Sequence, residues 1–401
     1  MARERTTCIL HNKDQRKTMG ETVLELFCGP PCDSGVCYPC FKSALIPATK
    51  LVLFDVGHGD FMLLFNENDL LVVDCGGINS IHRDIQSIAN RIQTRCPSTA
   101  LLISHLHQDH YNFLKYFNNR FFKKIWLPVI PVTRGSRRIG EAMLKYLFLS
   151  MLSDFLDYGI LLPSVFEGFK DRVRFLKKGN TFRWAGTNWE VLWPDLGDPI
   201  FAAKVLQKVV PLEERLKNVD DITEKYGFNE IFEQVADRIT SILETREEEQ
   251  SARFYRELSD MLKKMDRKLE TEDEKRRVRD VLKGADKDFR GLANWLSLVV
   301  RSDTNDFLFL GDAEEEALNQ INPKRFGPFV VTKASHHGTK FASSLVGLET
   351  DFLLISRNGH LAHINQGYFS VKTKRNLITK YHGDCILNFL YEPPLSLEVW
   401  T

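Results

Sequence analysis

Four residues that commonly bind metals stand within six positions of the chain: His105, His107, Asp109 and His110. Imidazole and carboxylate groups are ligands for zinc, manganese and iron. The cluster directly follows a short apolar run at 101–103 that has the composition of a buried strand. A strand end fixes the backbone and lets side chains converge. The spacing therefore predicts a metal centre rather than a chance grouping at the start of a helix.

Three later segments carry further candidate ligands, and each follows another apolar run. They contribute Asp312, the pair His336–His337, and His363. An aspartate at a strand end can bridge two metals, although a Gly-Asp turn alone is common. A His pair followed by Gly338 is moderately specific, whereas a single loop histidine is weak. The residues leave open which of the three later histidines is a ligand.

The elements that must position these residues can be read from hydrophobic periodicity. Apolar runs predict strands at 51–54, 61–65, 70–73, 101–103, 180–194, 298–300, 307–310, 329–331 and 352–355. Isoleucines at spacings of three and four predict an amphipathic helix over 80–95. Further helices are predicted from His110 to about residue 120 and over 139–158.

A long charged region interrupts the strands. Ile231, Val235, Ile239 and Leu243 repeat every four residues, and a similar stripe runs over 254–269, which together predict a helical hairpin. We therefore divide the chain into an N-terminal extension (1–48), the first half of a catalytic domain (49–199), a helical insertion (200–288) and the second half (289–401). The insertion is interpreted as a solvated addition, a surface for a protein partner, or a lid.

Four cysteines lie close together in the N-terminal extension: Cys28, Cys32, Cys37 and Cys40. Four thiolates at short spacing suit one tetrahedral structural zinc, and the intervening glycines and prolines suit tight turns. The irregular spacing matches no zinc-ribbon repeat. Free buried thiols and redox chemistry remain the other two interpretations.

Composition excludes some classes of function. The 401 residues carry a formal net charge of +1, so whole-chain charge gives no sign of nucleic-acid or membrane binding. The sequence shows neither a bilayer-spanning apolar stretch nor a signal-peptide core, and we expect a cytoplasmic protein with no membrane association. An anionic substrate would have to be held by metal or by local charge. Lys333 and Lys340 flank the His pair and are interpreted either as anion-attracting or as ordinary surface lysines.

Several short motifs occur in a fixed order along the chain. They are Asp55-Val56-Gly57-His58-Gly59-Asp60, Asp74-Cys75-Gly76, Ser104 to His110, Val191-Leu192-Trp193-Pro194, Asn294 to Val299, Gly311-Asp312, and His336-His337-Gly338-Thr339. In this order they resemble the ComEC-type branch of the metallo-β-lactamase superfamily. The matches cover about 50–127, 180–195 and 290–365, and they skip the N-terminal extension and the helical insertion.

The resemblance implies an α/β fold, an αββα sandwich of two mixed sheets with helices outside and metals at one edge. It implies two divalent ions, Zn or Mn. His105 and His107 would hold one ion. The other would be held by Asp109, His110 and a histidine from 336, 337 or 363, with Asp312 bridging.

The resemblance also implies the chemistry. A metal-bound hydroxide would attack phosphorus, with Asp109, His337 and His363 as the catalytic candidates. The histidine left over from ligation would protonate the leaving oxygen or bind phosphate.

One departure from the family pattern concerns the first ion. The sequence has no histidine between His110 and His336, where many superfamily members place a third ligand. Water or His58 could complete that site, or it could bind weakly. His58 replaces the glutamine usual in the family's first motif, and it is interpreted either as a plain turn residue or as a contact to metal or substrate.

Three functions follow from these observations. The first is a metal-dependent phosphodiesterase, foremost a nuclease acting on DNA. The second is a hydrolase of a small phosphodiester or nucleotide signal. The third is a non-catalytic module that binds a protein partner through the inserted helices and the cysteine cluster.

Overall fold

The computed structural model describes eleven stretches of the chain: 50–66, 69–77, 82–96, 98–118, 121–131, 137–153, 172–184, 186–245, 269–356, 363–379 and 384–388. The extension with Cys28, Cys32, Cys37 and Cys40 lies outside these residues, and so does nearly all of the second predicted helix of the insertion.

Two seven-stranded mixed sheets form the centre of the fold. The first has the order β14-β1-β2-β3-β4-β5-β6, and the second has the order β13-β12-β11-β10-β9-β8-β7. In the first sheet the strands are β1 (Lys50–Leu53), β2 (Phe61–Phe65), β3 (Asp69–Cys75), β4 (Ser98–Leu102), β5 (Lys124–Pro128), β6 (Val173–Leu176) and β14 (Cys385–Asn388). In the second they are β7 (Thr181–Trp184), β8 (Thr187–Trp193), β9 (Val299–Ser302), β10 (Phe307–Phe309), β11 (Phe329–Lys333), β12 (Glu349–Ile355) and β13 (Lys372–Ile378).

Each sheet changes from antiparallel to parallel pairing part-way across. Strands β3, β4, β5 and β6 are mutually parallel, and so are β10, β11, β12 and β13. The carboxyl ends of parallel strands meet at one edge of a sheet, which is where ligands bind in such folds. Both sheets therefore offer a ready edge for a site.

The inner strands are buried on both faces, which explains their continuous apolar runs. On the inner faces Leu53, Val73 and Leu102 of the first sheet join Val300 and Phe309 of the second in one apolar layer. On the outer face of the first sheet, side chains of the same strands pack against the isoleucine stripe of the first helix. This two-sheet sandwich with outer helices confirms the predicted αββα fold.

Seven α-helices are described in the stretches given above: α1 (His82–Arg95), α2 (Arg137–Leu152), α3 (Pro199–Leu216), α4 (Asp220–Lys225), α5 (Phe228–Thr245), α6 (Glu272–Trp295) and α7 (Glu315–Ile321). Helices α3 to α6 lie between β8 and β9, which pair directly with each other. Helix α6 contacts α2 and α3 through buried residues that recur every three or four positions: Val278, Leu282, Ala285, Phe289 and Leu292. Across the described residues, no helix has the length and apolar character needed to cross a membrane.

Three local predictions were wrong. The segment after His110 forms two short 3-10 turns, Gln108–His110 and Asn112–Tyr116, instead of one helix. Asn294 and Trp295, predicted within a strand motif, are the last residues of α6. Strand β13 was missed because Lys372–Ile378 is an edge strand with mostly exposed polar side chains and therefore lacks an apolar run.

Candidate metal centre

The candidate ligands come from strand ends of both sheets. His105 to His110 follow β4, Asp312 follows β10, and the pair His336–His337 follows β11. Three groups of closely spaced ligand atoms occur among the described residues: Asp60 with His110, Asp312 and His337; His58 with Asp109 and His337; and His105 with His107 and Asp312. The structure therefore brings seven of the eight predicted active-site residues to one edge of the sandwich.

Four of these residues surround one point, which we call the Asp109 side: Asp109, His110, His337 and Asp312. The Nε2 atom of His337 lies 3.5 Å from Asp109 Oδ2 and 3.7 Å from Asp312 Oδ2. The Nε2 atom of His110 lies 3.9 Å and 3.7 Å from the same two oxygens. Tetrahedral ligands about 2.0–2.2 Å from a zinc ion are about 3.3–3.6 Å apart. The four separations lie at this range or up to about 0.3 Å above it, so a contraction of a few tenths of an ångström would bring these side chains round a single divalent ion.

Three ligand-type residues form the second group, which we call the His105 side: His105, His107 and Asp312. His105 Nε2 lies 2.8 Å from His107 Nδ1 and 3.7 Å from Asp312 Oδ2. Asp312 belongs to both sides, as a bridging carboxylate would. Among the described residues no third histidine joins His105 and His107, because His58 groups with Asp109 and His337 instead.

Unpartnered buried atoms support metal binding at this edge. His110 Nε2, His337 Nε2, His107 Nε2 and Asp312 Oδ1 are all buried and have no hydrogen-bond partner. Burying such groups without a partner is costly, so native proteins seldom tolerate several together. One or two divalent cations would satisfy most of them, and the mixed imidazole and carboxylate set is one that such ions prefer.

Asp74 positions His110 from behind. Its Oδ2 accepts hydrogen bonds from the Ser104 hydroxyl at 2.8 Å and from His110 Nδ1 at 2.9 Å, and its Oδ1 accepts from the Ser104 backbone N–H at 2.6 Å. The backbone of Asp74 has a φ of +54°, which is rare for a residue with a side chain and typical of constrained sites. Holding Nδ1 protonated leaves Nε2 of His110 free to bind metal.

A buried ion pair lies beneath the Asp109 side. Lys333 Nζ is 3.0 Å from Asp60 Oδ2, and both side chains are 5% exposed. Asp60 Oδ2 also lies 3.9 Å from His110 Nδ1 and 3.8 Å from His337 Nδ1, which is the ring side opposite to Nε2. We therefore assign Asp60 to the support of both imidazoles rather than to the ligand set. Lys333 is buried, so the interpretation as a surface lysine was wrong for it, whereas Lys340 is 49% exposed.

Close backbone packing fixes the His105–His110 segment. A Cβ atom on Gly76 would lie 2.3 Å from the Asp109 carbonyl carbon, and one on Gly59 would lie 2.6 Å from the Asp109 carbonyl oxygen. Gly59 also has a φ of +138°. Both turns require glycine so that the first two motifs can pack against the metal-binding segment. Asn112 completes the contact by bonding both the N–H and the carbonyl of Gly77.

Two histidines are partly exposed at the open side of the centre. His58 Nε2 lies 3.2 Å from Asp109 Oδ2, and its side chain is 35% exposed. His336 Nδ1 lies 3.5 Å from Asp312 Oδ2 and 3.3 Å from the Asn294 side-chain nitrogen, and its side chain is 27% exposed. Asn294, which contacts His336, lies in the last turn of α6. The sequence did not indicate this role for Asn294.

The charges of the centre also differ between its sides. Burial lowers the pKa of His105, and it lowers the pKa of His107 to about 3, so both rings are neutral. Burial opposes the charged form of His110, but the carboxylates of Asp74, Asp312 and Asp109 raise its pKa to about 10. The carboxylates of the Asp109 side thus favour a positive charge on His110, and a bound cation would supply that charge in place of the proton.

The remaining predicted site residues stay predictions. His363 is exposed and belongs to none of the three ligand groups. The other ligand assignments rest on the distances given above; they concern His105, His107, Asp109, His110, Asp312, His336 and His337. Geometry favours His337 over His336 as the ligand because His337 Nε2 is buried and faces two carboxylates.

Comparison with known proteins places part of the chain in a family. Residues 54–192 match the family model of the metallo-beta-lactamase superfamily. No curated protein matches the chain.

Two solved structures are similar over part of their length. One is a protein of unknown function from Enterococcus faecalis V583, with 16% identity over 37% of this chain and 38% of that chain and a TM-score of 0.24. The other is a beta-lactamase domain protein from Burkholderia ambifaria, with 23% identity over 35% of this chain and 44% of that chain and a TM-score of 0.23. The chain thus spans less than half the length of each. Over residues 54–192 the chain is therefore similar to the metallo-beta-lactamase superfamily, which supports a metal-dependent hydrolase.

Proposed function

We propose that this protein is a metal-dependent phosphodiesterase whose substrate is DNA. One observation carries the proposal: the Nε2 atoms of His110 and His337 are buried without a hydrogen-bond partner, and each lies 3.5–3.9 Å from a carboxylate oxygen of Asp109 and of Asp312. The ordered motifs support the phosphodiester class, because they resemble the ComEC-type branch of the superfamily.

The ligand sets follow from the two sides of the centre. Asp109, His110, His337 and Asp312 would hold one divalent ion, and His105 and His107 would hold a second with Asp312 shared. Such ions, when bound, lower the pKa of water and offset negative charge on phosphoryl oxygens. Asp74 keeps a proton on His110 Nδ1, and the Ser356 hydroxyl lies 3.1 Å from His337 Nδ1, so both rings keep Nε2 directed at the centre.

The partly exposed histidines act on the substrate. His58 and His336 lie at the open side, each within 3.5 Å of a carboxylate of the centre. Either imidazole can donate a proton to the leaving oxygen or a hydrogen bond to a non-bridging phosphoryl oxygen. Asn294 orients His336 through its side-chain nitrogen.

The test is hydrolysis of labelled single-stranded and duplex DNA, and of bis(4-nitrophenyl) phosphate, with Mn²⁺ or Zn²⁺ supplied. We expect the wild-type protein to degrade DNA and the Asp109→Ala variant to lose the activity. Asp303→Ala is the matched control, because Asp303 is an exposed turn residue bonded to the Asn188 side chain.

Each outcome discriminates among functions. DNA left intact with either metal, while bis(4-nitrophenyl) phosphate is cleaved, would overturn the nuclease proposal in favour of a small phosphodiester or nucleotide substrate. No hydrolysis of any substrate, together with a purified protein that binds no metal, would favour a partner-binding module.

A further inference from the structure

The inserted helix α6 reaches directly into the metal centre. Its last turn places Asn294, which is 4% exposed, with its side-chain nitrogen 3.3 Å from His336 Nδ1. Immediately after the helix, the Ser297 hydroxyl accepts the Asp312 N–H at 2.8 Å, and the Leu298 N–H donates to the Ser104 carbonyl at 2.7 Å. The end of α6 is thus bonded to both the Asp312 turn and the β4 end.

The same helix is held rigidly along its length. A capping box between Thr271 and Glu274 closes its N-terminus. The Phe289 ring stacks on Tyr146 of α2 at 4.1 Å, and the Tyr146 hydroxyl donates to Asp286 at 3.0 Å. Arg215 of α3 pairs with Asp288 at 2.7 Å. A ligand held by α6 would therefore keep a fixed position relative to the metal centre.

One exposed face of α6 is basic. Arg276, Lys283, Lys287, Arg290 and the site residue Asn294 follow one another at spacings of seven, four, three and four. Residues at such spacings lie on one side of a helix. We call the four cations of this series the α6 basic face. It extends outward from the centre for about 21 Å, since an α-helix rises about 1.5 Å per residue.

The stretch of α6 that carries this face has a net positive charge. Between Arg276 and Arg290 the chain has six basic and three acidic residues. Arg276, Lys283 and Arg290 each have an aspartate partner one turn earlier, at 2.8, 3.4 and 2.7 Å. Exposed pairs of this kind contribute little free energy, so a phosphate can displace the aspartates.

Lys287 of the α6 basic face has no carboxylate partner within the part of the chain that the structure describes. The same holds for two lysines of α3, Lys204 and Lys208. Lys204 and Lys208 of α3 place their ammonium groups 5.9 and 5.4 Å from the centre of the Trp295 ring, beside the end of α6 that meets the centre.

We propose that the α6 basic face, together with Lys204 and Lys208, is the track along which a nucleic-acid strand runs into the metal centre. Electrostatic complementarity with phosphates carries the assignment, because the whole chain has a net charge of only +1 and must concentrate positive charge to hold a polyanion. A small phosphodiester would not reach the cations of this face, which lie about one to five helical turns before Asn294. This inference rests on the proposed phosphodiesterase function and narrows its substrate to a strand of several nucleotides.

The test measures how tightly the protein binds a fluorescently labelled single-stranded oligonucleotide. Fluorescence anisotropy reports the binding over a range of NaCl concentrations, and EDTA is present to prevent cleavage. The variant is Lys283→Ala/Lys287→Ala, whose side chains are exposed and bury no core. Removing two phosphate contacts should reduce the slope of log K against log salt by about 1.4 and weaken binding about 20-fold near 0.1 M salt. The control is Lys372→Ala/Lys374→Ala, a pair of exposed lysines on β13, far from α6 in the sequence, that pair with Glu349 and Asp351.

Equal binding by wild type and both double variants would overturn the inference. Hydrolysis of bis(4-nitrophenyl) phosphate by the wild-type protein is measured in parallel with the binding. The proposed track and the proposed phosphodiesterase function can then fail independently. Hydrolysis without salt-dependent oligonucleotide binding removes the track and leaves the phosphodiesterase. Oligonucleotide binding that depends on Lys283 and Lys287, without any hydrolysis, leaves the track and removes the enzyme.

Discussion

The Asp109 side and the His105 side share Asp312 but differ in how completely they are built. The Asp109 side has four ligand-type residues, and two of its imidazoles are oriented from behind by Asp74 and Ser356. The His105 side has three, and its two rings contact each other at 2.8 Å. Outer partners of this kind raise ligand basicity and fix ring orientation. For the proposed two-ion centre, the difference predicts unequal affinities, with the tighter ion on the Asp109 side.

The two sides also differ in the charge that a cation would meet. On the Asp109 side, burial is outweighed by carboxylates that raise the pKa of His110 to about 10, whereas on the His105 side burial lowers the pKa of His107 to about 3. An ion held by the Asp109 side would therefore replace a proton among carboxylates, whereas an ion held by the His105 side would bind rings that are already neutral.

The largest effect is expected from Asp312→Ala, because this carboxylate belongs to both sides. Its Oδ2 lies 3.7 Å from the Nε2 atoms of His105, His110 and His337. We expect loss of both ions and a fall in kcat/KM of about 10³-fold or more, which corresponds to several kcal/mol of lost transition-state stabilisation. Metal analysis and phosphodiester hydrolysis measure the two consequences. Retention of one full equivalent of tightly bound metal would mean that the sides are independent.

The next effect concerns stability beneath the Asp109 side. Lys333→Ala leaves Asp60 buried and unpaired, and breaking a buried ion pair in this way costs about 3–5 kcal/mol. Lys340→Ala is the matched control, since Lys340 is exposed and lies 3.6 Å from Glu314, a pair of the kind that contributes about 0–1 kcal/mol. Urea unfolding of the two variants measures the difference. Similar losses in the two variants would show that the Asp60–Lys333 pair gives the Asp109 side no special support.

A smaller effect is expected from Asp74→Ala, which removes the partner of His110 Nδ1 but no ligand. Loss of such a partner weakens metal binding about 10–100-fold. Asp74 contacts His110, which belongs to the Asp109 side. We therefore expect weaker binding of the tighter metal ion only. Calorimetric titration with Zn²⁺ separates the steps. A change confined to the weaker step would assign the tighter ion to the His105 side.

The smallest effect is expected from His58→Gln. A glutamine amide can still donate a hydrogen bond toward Asp109 Oδ2, which lies 3.2 Å from His58 Nε2. We expect unchanged metal content and a decrease in kcat/KM of no more than about tenfold, because only a contact to substrate or a proton is altered. Loss of a metal equivalent would instead make His58 a ligand of the Asp109 side.

The sequence predicted that most of the candidate ligands come together, because they follow strand ends. Asp312, His336 and His337 are far from His105 in the chain, yet each comes directly after an apolar run, and parallel strands bring such positions to one edge. Helix α1 was predictable from its apolar periodicity, and most inner strands of both sheets were predictable from their apolar runs, whereas the edge strands β6, β13 and β14 were not predicted.

The residues that support the ligands were less predictable. Asp60 and Lys333 are separated by 273 positions, and only the packing of the two sheets makes them a buried pair. The role of Asn294 depends on the direction in which α6 enters the centre, which no local pattern encodes. The segment after His110 forms short turns because its backbone is held against Gly76 and Gly77, a tertiary contact that overrides helix propensity.

Titration of metal-free protein with Co²⁺, followed by optical absorption, tests the unequal two-ion centre most directly. Thiolate charge-transfer absorption would separate any ion held by Cys28, Cys32, Cys37 and Cys40. We expect two further ions to bind in two steps, the tighter lost in Asp109→Ala and the weaker lost in His107→Ala. Two identical steps, or an Asp109→Ala protein that keeps the tighter one, would contradict the assignment of the stronger site to Asp109, His110, His337 and Asp312.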